Sequence, residues 1–137
     1  MDLNELVVTD AELNVVDSGA WVAPDNAGDL ELFVCGMGSK EVRKAAQAKQ
    51  AAMRAKNRGK ELTDEQNHKN GEELLYEVVL KDWRGLKQDG KDVPYSKEKA
   101  KELITSRNFK RFSELVFECA SKIDGDAKAF VEAATKN

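Results

Sequence analysis

The sequence predicts an α+β fold that is mostly helical, with a small N-terminal β-hairpin and a C-terminal helical bundle. Two short runs of β-type residues, 20–23 and 30–35, flank a turn rich in Pro, Asp, Asn and Gly. A run rich in Ala, Lys and Arg follows from Lys40, and apolar residues recur at helical spacing through residues 74–123. A chain of 137 residues has the size of about one domain with one modest core.

We expect three segments within one compact domain. They are an acidic N-terminal segment with the β-hairpin (residues 1–39), a basic helix (residues 40–60) and a C-terminal helical bundle (residues 61–137). In the second strand of the hairpin, Leu30, Leu32 and Val34 share one face, which we expect to be buried. The apolar runs within residues 1–17 predict either a further strand or a loosely held segment.

The basic helix is expected to begin after Ser39, whose hydroxyl is placed to cap it, and to stop before Gly59. Its apolar residues are mostly alanines, so we expect a thin buried stripe and weak packing. The Gly36-Met37-Gly38 loop before it superficially resembles a phosphate cradle, but no Gly-Lys-Ser/Thr follows. We therefore interpret the loop as a turn and helix cap.

The C-terminal bundle is predicted to begin with a capping box at Thr63 and Gln66. Apolar residues from Leu74 onward predict a helix that runs to about Asp82, with Trp83 filling the core at its end. Asp89-Gly90 then predicts a tight turn or an exposed loop.

Two further helices are predicted after this turn. Ser96 is placed to cap a helix that buries Ala100, Leu103 and Ile104. The core helix follows, with one broad apolar stripe made of Phe109, Phe112, Leu115, Val116, Cys119, Ala120 and Ile123. Gly125 is expected to end it, and residues 126–135 to form a last helical segment.

Charge is distributed unevenly along the chain. Residues 1–39 hold eight acids and no Lys or Arg, whereas residues 40–60 hold eight bases and one acid. The acidic segment can fold against the basic helix, both can be solvated faces, or the basic helix can bind a partner. The acidic isoelectric point near 5.3 and the absence of aromatic residues from the basic run argue against general nucleic-acid binding.

The sequence contains no pattern of catalytic or metal-binding residues. His68 is the only histidine and lies among polar residues, and Cys35 and Cys119 lie in apolar patterns, where we expect buried thiols. We therefore predict no enzymatic activity, no cofactor and no metal. No run approaches the roughly 18 apolar residues of a membrane helix, and acidic first residues do not indicate export. The cysteines fit a reducing cytoplasm.

The order of motifs along the chain resembles one protein family. The upstream part reads Gly19-Ala20-Trp21-Val22, an acidic turn, a strand, and Gly36-Met37-Gly38-Ser39 before the basic helix. The downstream part joins an apolar helix to Trp83-Arg84-Gly85, a turn at Gly90, Pro94-Tyr95-Ser96 and a second helix. Over residues 18–123 this order resembles the tail assembly chaperones of long-tailed, siphovirus-type phages and prophages.

The resemblance implies a non-catalytic protein of the host bacterial cytoplasm that is absent from the mature virion. Members coat the tape measure protein, keep it soluble and help recruit tail tube subunits, and self-association fits the coating of a long partner. We expect the partner-binding residues on the basic helix: Arg43, Lys44, Lys49, Arg54 and Arg58. A structural tail or head-tail connector protein, or a small nucleic-acid-binding regulator, are the alternatives.

Many members are made in two forms by programmed ribosomal frameshifting, and the longer form is thought to engage the tail tube protein. Here Thr135-Lys136-Asn137 are compatible with the codons ACA AAA AAC, which contain the slippery heptamer A AAA AAC. The resemblance therefore implies that this chain is the short form of a frameshifted pair.

Overall fold

The structure is a computed structural model that describes residues 1–135. Lys136 and Asn137, which belong to the predicted frameshift sequence, lie outside the described residues. The described helices are α1 (Asp10–Ser18), α2 (Lys40–Lys56), α3 (Asp64–Leu74), α4 (Lys97–Thr105), α5 (Lys110–Gly125) and α6 (Ala127–Thr135). The strands are β1 (Ala20–Val22), β2 (Glu31–Val34), β3 (Leu80–Arg84), β4 (Lys87–Gln88) and β5 (Lys91–Asp92). This confirms the α+β, mostly helical class.

The predicted hairpin is confirmed. Strands β1 and β2 pair antiparallel, with Trp21 opposite Phe33. Leu30, Leu32 and Val34 are buried, as their alternation predicts. A register shift between Phe33 and Val34 then ends the regular alternation, and the adjoining Cys35 is fully buried too.

The prediction of a helix to Asp82 is wrong, because the chain changes to a strand at Leu80. The last helical residues form a π-helical turn, Leu75–Val79, and β3 then pairs antiparallel with β2, so that Trp83 lies opposite Leu32. Because the helix ends here, the backbone N–H and C=O groups of β3 have no helical partners. Pairing with β2 satisfies them instead. Trp83 is buried as predicted, but on a strand.

The Trp83 side chain joins three parts of the core. Its indole Nε1 donates a hydrogen bond to the carbonyl oxygen of Val93 at 2.8 Å. Its ring meets the rings of Tyr95 and Phe112 edge-on, with centroid distances of 4.9 and 5.6 Å. These contacts connect the sheet to the segment before α4 and to α5.

Residues 1–17 form no further strand. Residues 10–17 lie in a helix, whereas residues 1–8 are exposed, as expected of a loosely held segment. Leu3–Leu6 form a 3₁₀ turn, and α1 begins after Thr9, whose hydroxyl accepts a hydrogen bond from the backbone N–H of Glu12 at 3.1 Å. The Thr-x-x-Glu spacing is a helix-start signal that outweighs the β-branched residues following it. Gly19 ends α1 with a φ of +92°, and a Cβ there would press on the carbonyl oxygen of Val34.

The turn and caps of the C-terminal part are confirmed. Asp89 and Gly90 have φ values of +53° and +80°, as a type I′ turn between β4 and β5 requires. Thr63 and Gln66 form the capping box of α3, and Ser96 caps α4 by accepting from the backbone N–H of Lys99.

The core helix is confirmed except at its first apolar residue. The buried side chains of α5 are Phe112, Leu115, Val116, Cys119, Ala120 and Ile123. Phe109, predicted to be buried with them, is 44% exposed. It belongs to the 3₁₀ turn Arg107–Phe109 before α5 and therefore does not follow the α5 stripe. Helix α4 buries Ala100, Leu103 and Ile104 as expected.

Candidate protein-binding surfaces

Helix α2 begins at a fully buried serine. The Ser39 hydroxyl accepts a hydrogen bond from the backbone N–H of Val42 at 3.2 Å and donates to the Cys35 sulfur at 3.6 Å. The Ser39 hydroxyl thus acts both as a donor and as an acceptor. The predicted cap is confirmed, and it fixes the start of α2 to the end of β2.

The glycine loop before α2 holds one of the protein's own carboxylates. Asp124, near the end of α5, accepts hydrogen bonds from the backbone N–H groups of Met37 and Gly38 at 2.8 and 3.2 Å. A Cβ at Gly36 would collide with the Asp124 carboxylate. The loop amides that resemble a phosphate cradle are therefore occupied, which agrees with the turn-and-cap interpretation.

Helix α2 packs against α3 and the π-helical turn along one side only. Val42 is the single buried residue of α2, and Met53 is half-buried. Beyond the C-terminal end of α2, the side-chain amides of Asn57 and Gln66 exchange two hydrogen bonds, of 2.7 and 2.9 Å. The pair holds α2 and α3 together as a helical hairpin.

Lys49 differs from the other four predicted binding residues because it is paired inside the protein. Its Nζ lies 2.8 Å from a Glu77 carboxylate oxygen and 3.4 Å from one of Glu73. Partial burial lowers the pKa of Lys49, but the two carboxylates outweigh that effect, so the pKa is raised. Lys49 therefore attaches α2 to the body of the protein.

Arg43, Lys44 and Arg54 project from the opposite side of α2, and Arg58 follows its end; all four are exposed. Arg43 and Arg54 are eleven residues apart, which is three helical turns plus about 20°, so they lie on one line along the helix. Gln47, Gln50 and Ala51 lie between them and are exposed as well. We call this side of α2 the open face.

Within residues 1–135, Asp10 and Asp17 of the acidic N-terminal segment line a pocket together with Arg43, but the segment forms no ion pair with the basic residues of the open face. Among the described residues, its ion pairs reach other parts of the fold: Asp25 with Lys122 at 2.9 Å and Glu31 with Arg84 at 2.9 Å. Asp17 accepts a hydrogen bond from the backbone N–H of Lys40 at 3.0 Å, which satisfies the α2 N-terminus without using a basic side chain. The basic side chains of the open face thus take no part in these ion pairs.

A second surface is an apolar groove between the β4–β5 hairpin, α4 and the start of α5, with a volume of about 470 Å³. Its apolar walls include Leu86, Val93, Leu103, Phe109, Phe112 and Leu115. Sequence reasoning missed the groove because Leu86 and Val93 lie on short hairpin arms outside any helical periodicity. The sequence feature that could have revealed the groove is the pair of apolar residues, Leu86 and Val93, on the two sides of a polar tight turn.

The two cysteines and the histidine, whose side chains are the most chemically reactive, line neither the open face nor the groove. Cys35 and Cys119 are buried, unpaired thiols as predicted, and burial raises the pKa of Cys119 to about 12. His68 is exposed on α3. Within residues 1–135, no three His, Cys, Asp or Glu side chains are grouped to hold a metal ion, and no helix is both long and apolar enough to cross a membrane.

Comparison with known proteins gives one family. Residues 37–137 match the family described as YdaY prophage protein. Neither the curated proteins nor the solved structures contain a significant match. The matched range includes α2 with its open face, the groove-forming hairpin and α4 to α6. Because the match covers most of the chain, this protein belongs to the YdaY prophage protein family.

Proposed function

We propose that this protein is a non-catalytic tail assembly chaperone that binds the tape measure protein of its prophage, keeps it soluble and helps recruit tail tube subunits. Membership of a prophage family supports a role in phage biology. The motif order from Gly19 to Ser96, which resembles the tail chaperones, supports the narrower role.

The open face of α2 is the observation that carries the proposal. It is a helix of 17 residues, about 25 Å long, that is anchored on one side by Val42 and Lys49 and uncovered on the other. The small and flexible Ala and Gln side chains allow another helix to approach closely, while Arg43 and Arg54 attract acidic groups on it. Such a surface suits repeated, weakly selective contacts along a long helical partner.

In this role, exposed basic residues on and beside α2 bind the partner. Arg43, Lys44, Arg54 and Arg58 contact the tape measure protein directly, and Lys49 supports them by fixing α2. A form extended by frameshifting at Thr135-Lys136-Asn137 engages the tail tube protein. The complex forms in the host bacterial cytoplasm, and the protein leaves before the virion is complete.

Co-expression with the tape measure protein of the same prophage tests this proposal. The soluble fraction of the tape measure protein is expected to increase with the wild-type chain and to fall back with Arg43→Glu/Arg54→Glu. Lys97→Glu/Lys128→Glu makes the same change in net charge at exposed positions on α4 and α6 and is expected to act like wild type. No gain in tape measure solubility with the wild-type chain contradicts the proposal.

Two further measurements separate the alternatives. A structural tail or connector protein is present when purified virions are analysed by mass spectrometry, whereas the chaperone is absent. A nucleic-acid regulator shifts DNA mobility at low salt, with a steep salt dependence. The gene can also be expressed together with its downstream DNA, and its intact protein products weighed by mass spectrometry. A minor product extended beyond Thr135 or Lys136 in the minus-one frame is expected.

A further inference from the structure

Within the described chain, no segment covers the walls of the apolar groove. Phe109 is 44% exposed at its edge, and Leu86 and Val93 are half-buried on the hairpin. A volume of about 470 Å³ lies within the roughly 300–1,000 Å³ typical of mostly apolar small-molecule pockets. The groove therefore has room for a few aliphatic side chains from another molecule.

Residues 1–8 are a matching apolar segment that is itself uncovered. Leu3 and Leu6 are 78% and 60% exposed, and Val7 and Val8 are also exposed. In the 3₁₀ turn Leu3–Leu6, residues i and i+3 lie one above the other, so the two leucines form a single projecting apolar pair. This pair has the size and chemistry that the groove accepts.

The charges of the two regions are opposite. Residues 1–18 hold five acids and no Lys or Arg, and Asp2 and Glu5 each directly precede one of the two leucines. The chain that forms most of the groove, residues 86–115, holds eight bases and five acids. Lys87 and Lys99 lie in the groove wall together with Glu102, which pairs with Lys99 at 3.2 Å. The net positive charge favours an acidic segment.

The two regions lie at opposite ends of α5. Phe109 and Phe112 of the groove mark the N-terminal end of this helix of 16 residues, which is about 24 Å long. Residues 1–8 lead into helix α1, which packs against α6 beyond the C-terminal end of α5. A contact that joins one end of a molecule to the other end of the next is heterologous and can be repeated from copy to copy.

We propose that residues 1–8 of one copy bind in the groove of a second copy, with Leu3 and Leu6 against Phe109 and Leu86. In the resulting head-to-tail series, each successive copy carries one open face. This deepens the proposed function, since a row of α2 helices is what the coating of a long tape measure protein needs. The association between copies needs no other protein, so it can be tested with this chain alone.

The experiment uses two variants of the full chain, each defective in one side of the contact. Leu3→Asp/Leu6→Asp changes the segment and leaves the groove intact, whereas Phe109→Asp changes the groove and leaves the segment intact. All three side chains are exposed, so circular dichroism is expected to show native helix content in both variants. Phe117→Asp, at an exposed Phe on α5 that does not line the groove, is the matched control.

Sedimentation velocity measures the outcome at chain concentrations up to about 200 μM, because an interface this small is expected to be weak. Wild type and Phe117→Asp should form species larger than a monomer that grow with concentration, and each defective variant alone should remain monomeric. An equimolar mixture of the two variants should recover a dimer, since one intact segment then meets one intact groove.

Three results overturn the inference: a monomeric wild type over this range, assembly that persists in either defective variant, or a mixture that stays monomeric. None of them bears on whether the monomer raises tape measure solubility, which the co-expression experiment measures separately. Conversely, head-to-tail assembly without any effect on tape measure solubility leaves the contact standing and removes the proposed function.

Discussion

Helices α2 and α5 are nearly equal in length but differ in what they bury. Helix α5, with 16 residues, buries six side chains among strands and helices, whereas α2, with 17 residues, buries only Val42. The apolar area removed from water, rather than helix length or propensity, determines what a helix contributes to stability. We therefore expect the stability of the fold to depend mainly on α5, whereas the partner contacts that we propose lie on α2.

The largest effect is expected from shortening a buried side chain of α5. Ile123 is fully buried, and Ile123→Ala should lower the free energy of unfolding by about 2–5 kcal/mol through lost burial and a residual cavity. Met53→Ala on the half-buried side of α2 should cost about 1 kcal/mol or less, since the site opens to solvent. Urea unfolding of both variants makes the comparison, and equal losses would refute the expected dependence on α5.

Alkaline pH should destabilise the protein through the buried thiols. The pKa of Cys119 is raised by burial from 9.0 to about 12, so between these values the unfolded chain releases a proton that the native protein keeps. The stability associated with the protonated thiol is present below pH 9 and decreases above it, by up to about 1.4 kcal/mol per pH unit.

Urea unfolding between pH 8 and pH 10.5 measures this dependence. The decline in unfolding free energy should be less steep in Cys119→Ala than in wild type. A variant that differs from wild type by a constant amount at every pH would show that Cys119 does not contribute to the slope.

The N-cap of α2 should contribute more than its exposed counterpart on α4. Ser39 is fully buried and makes two hydrogen bonds, so Ser39→Ala should cost about 1–2 kcal/mol. Ser96→Ala removes an exposed cap and should cost about 0.5–1 kcal/mol. Thermal unfolding compares the two, and a smaller loss at Ser39 than at Ser96 would contradict the described packing of the α2 start.

The smallest effects separate Lys49 from the open face. Lys49→Met removes the ion pairs to Glu73 and Glu77, which are partly screened by solvent, and should cost about 0.2–1 kcal/mol. Arg54→Met, on the open face, should change stability by less than about 0.5 kcal/mol. If the stability loss at Arg54 matches or exceeds the loss at Lys49, the conclusion that Lys49 attaches α2 to the body while Arg54 faces solvent is contradicted.

Elements with strong local signals could be predicted from sequence. The caps at Ser39, Thr63 and Ser96 and the turn at Asp89-Gly90 each depend on residues close together in the chain, and the structure confirms them. Strand β3 could not be predicted, because its pairing partner β2 is about fifty residues away and its apolar residues also fit a helix.

The candidate site was predictable in part. Sequence placed all five basic residues on or beside one helix, but a charge count does not show that Lys49 faces Glu77 while Arg43 and Arg54 face outward. Those orientations depend on which side of α2 packs against α3. The apolar groove depends on a hairpin meeting two helices and has no counterpart in local sequence periodicity.

Hydrogen exchange with and without the tape measure protein tests most directly whether α2 binds the partner while α5 maintains the fold. In the free protein, amides of α5 should exchange slowest, since buried helices open least often. On binding, added protection should appear in α2, residues 40–56, with little change in α5. Added protection that leaves α2 unchanged would contradict the account, even if the tape measure protein still binds.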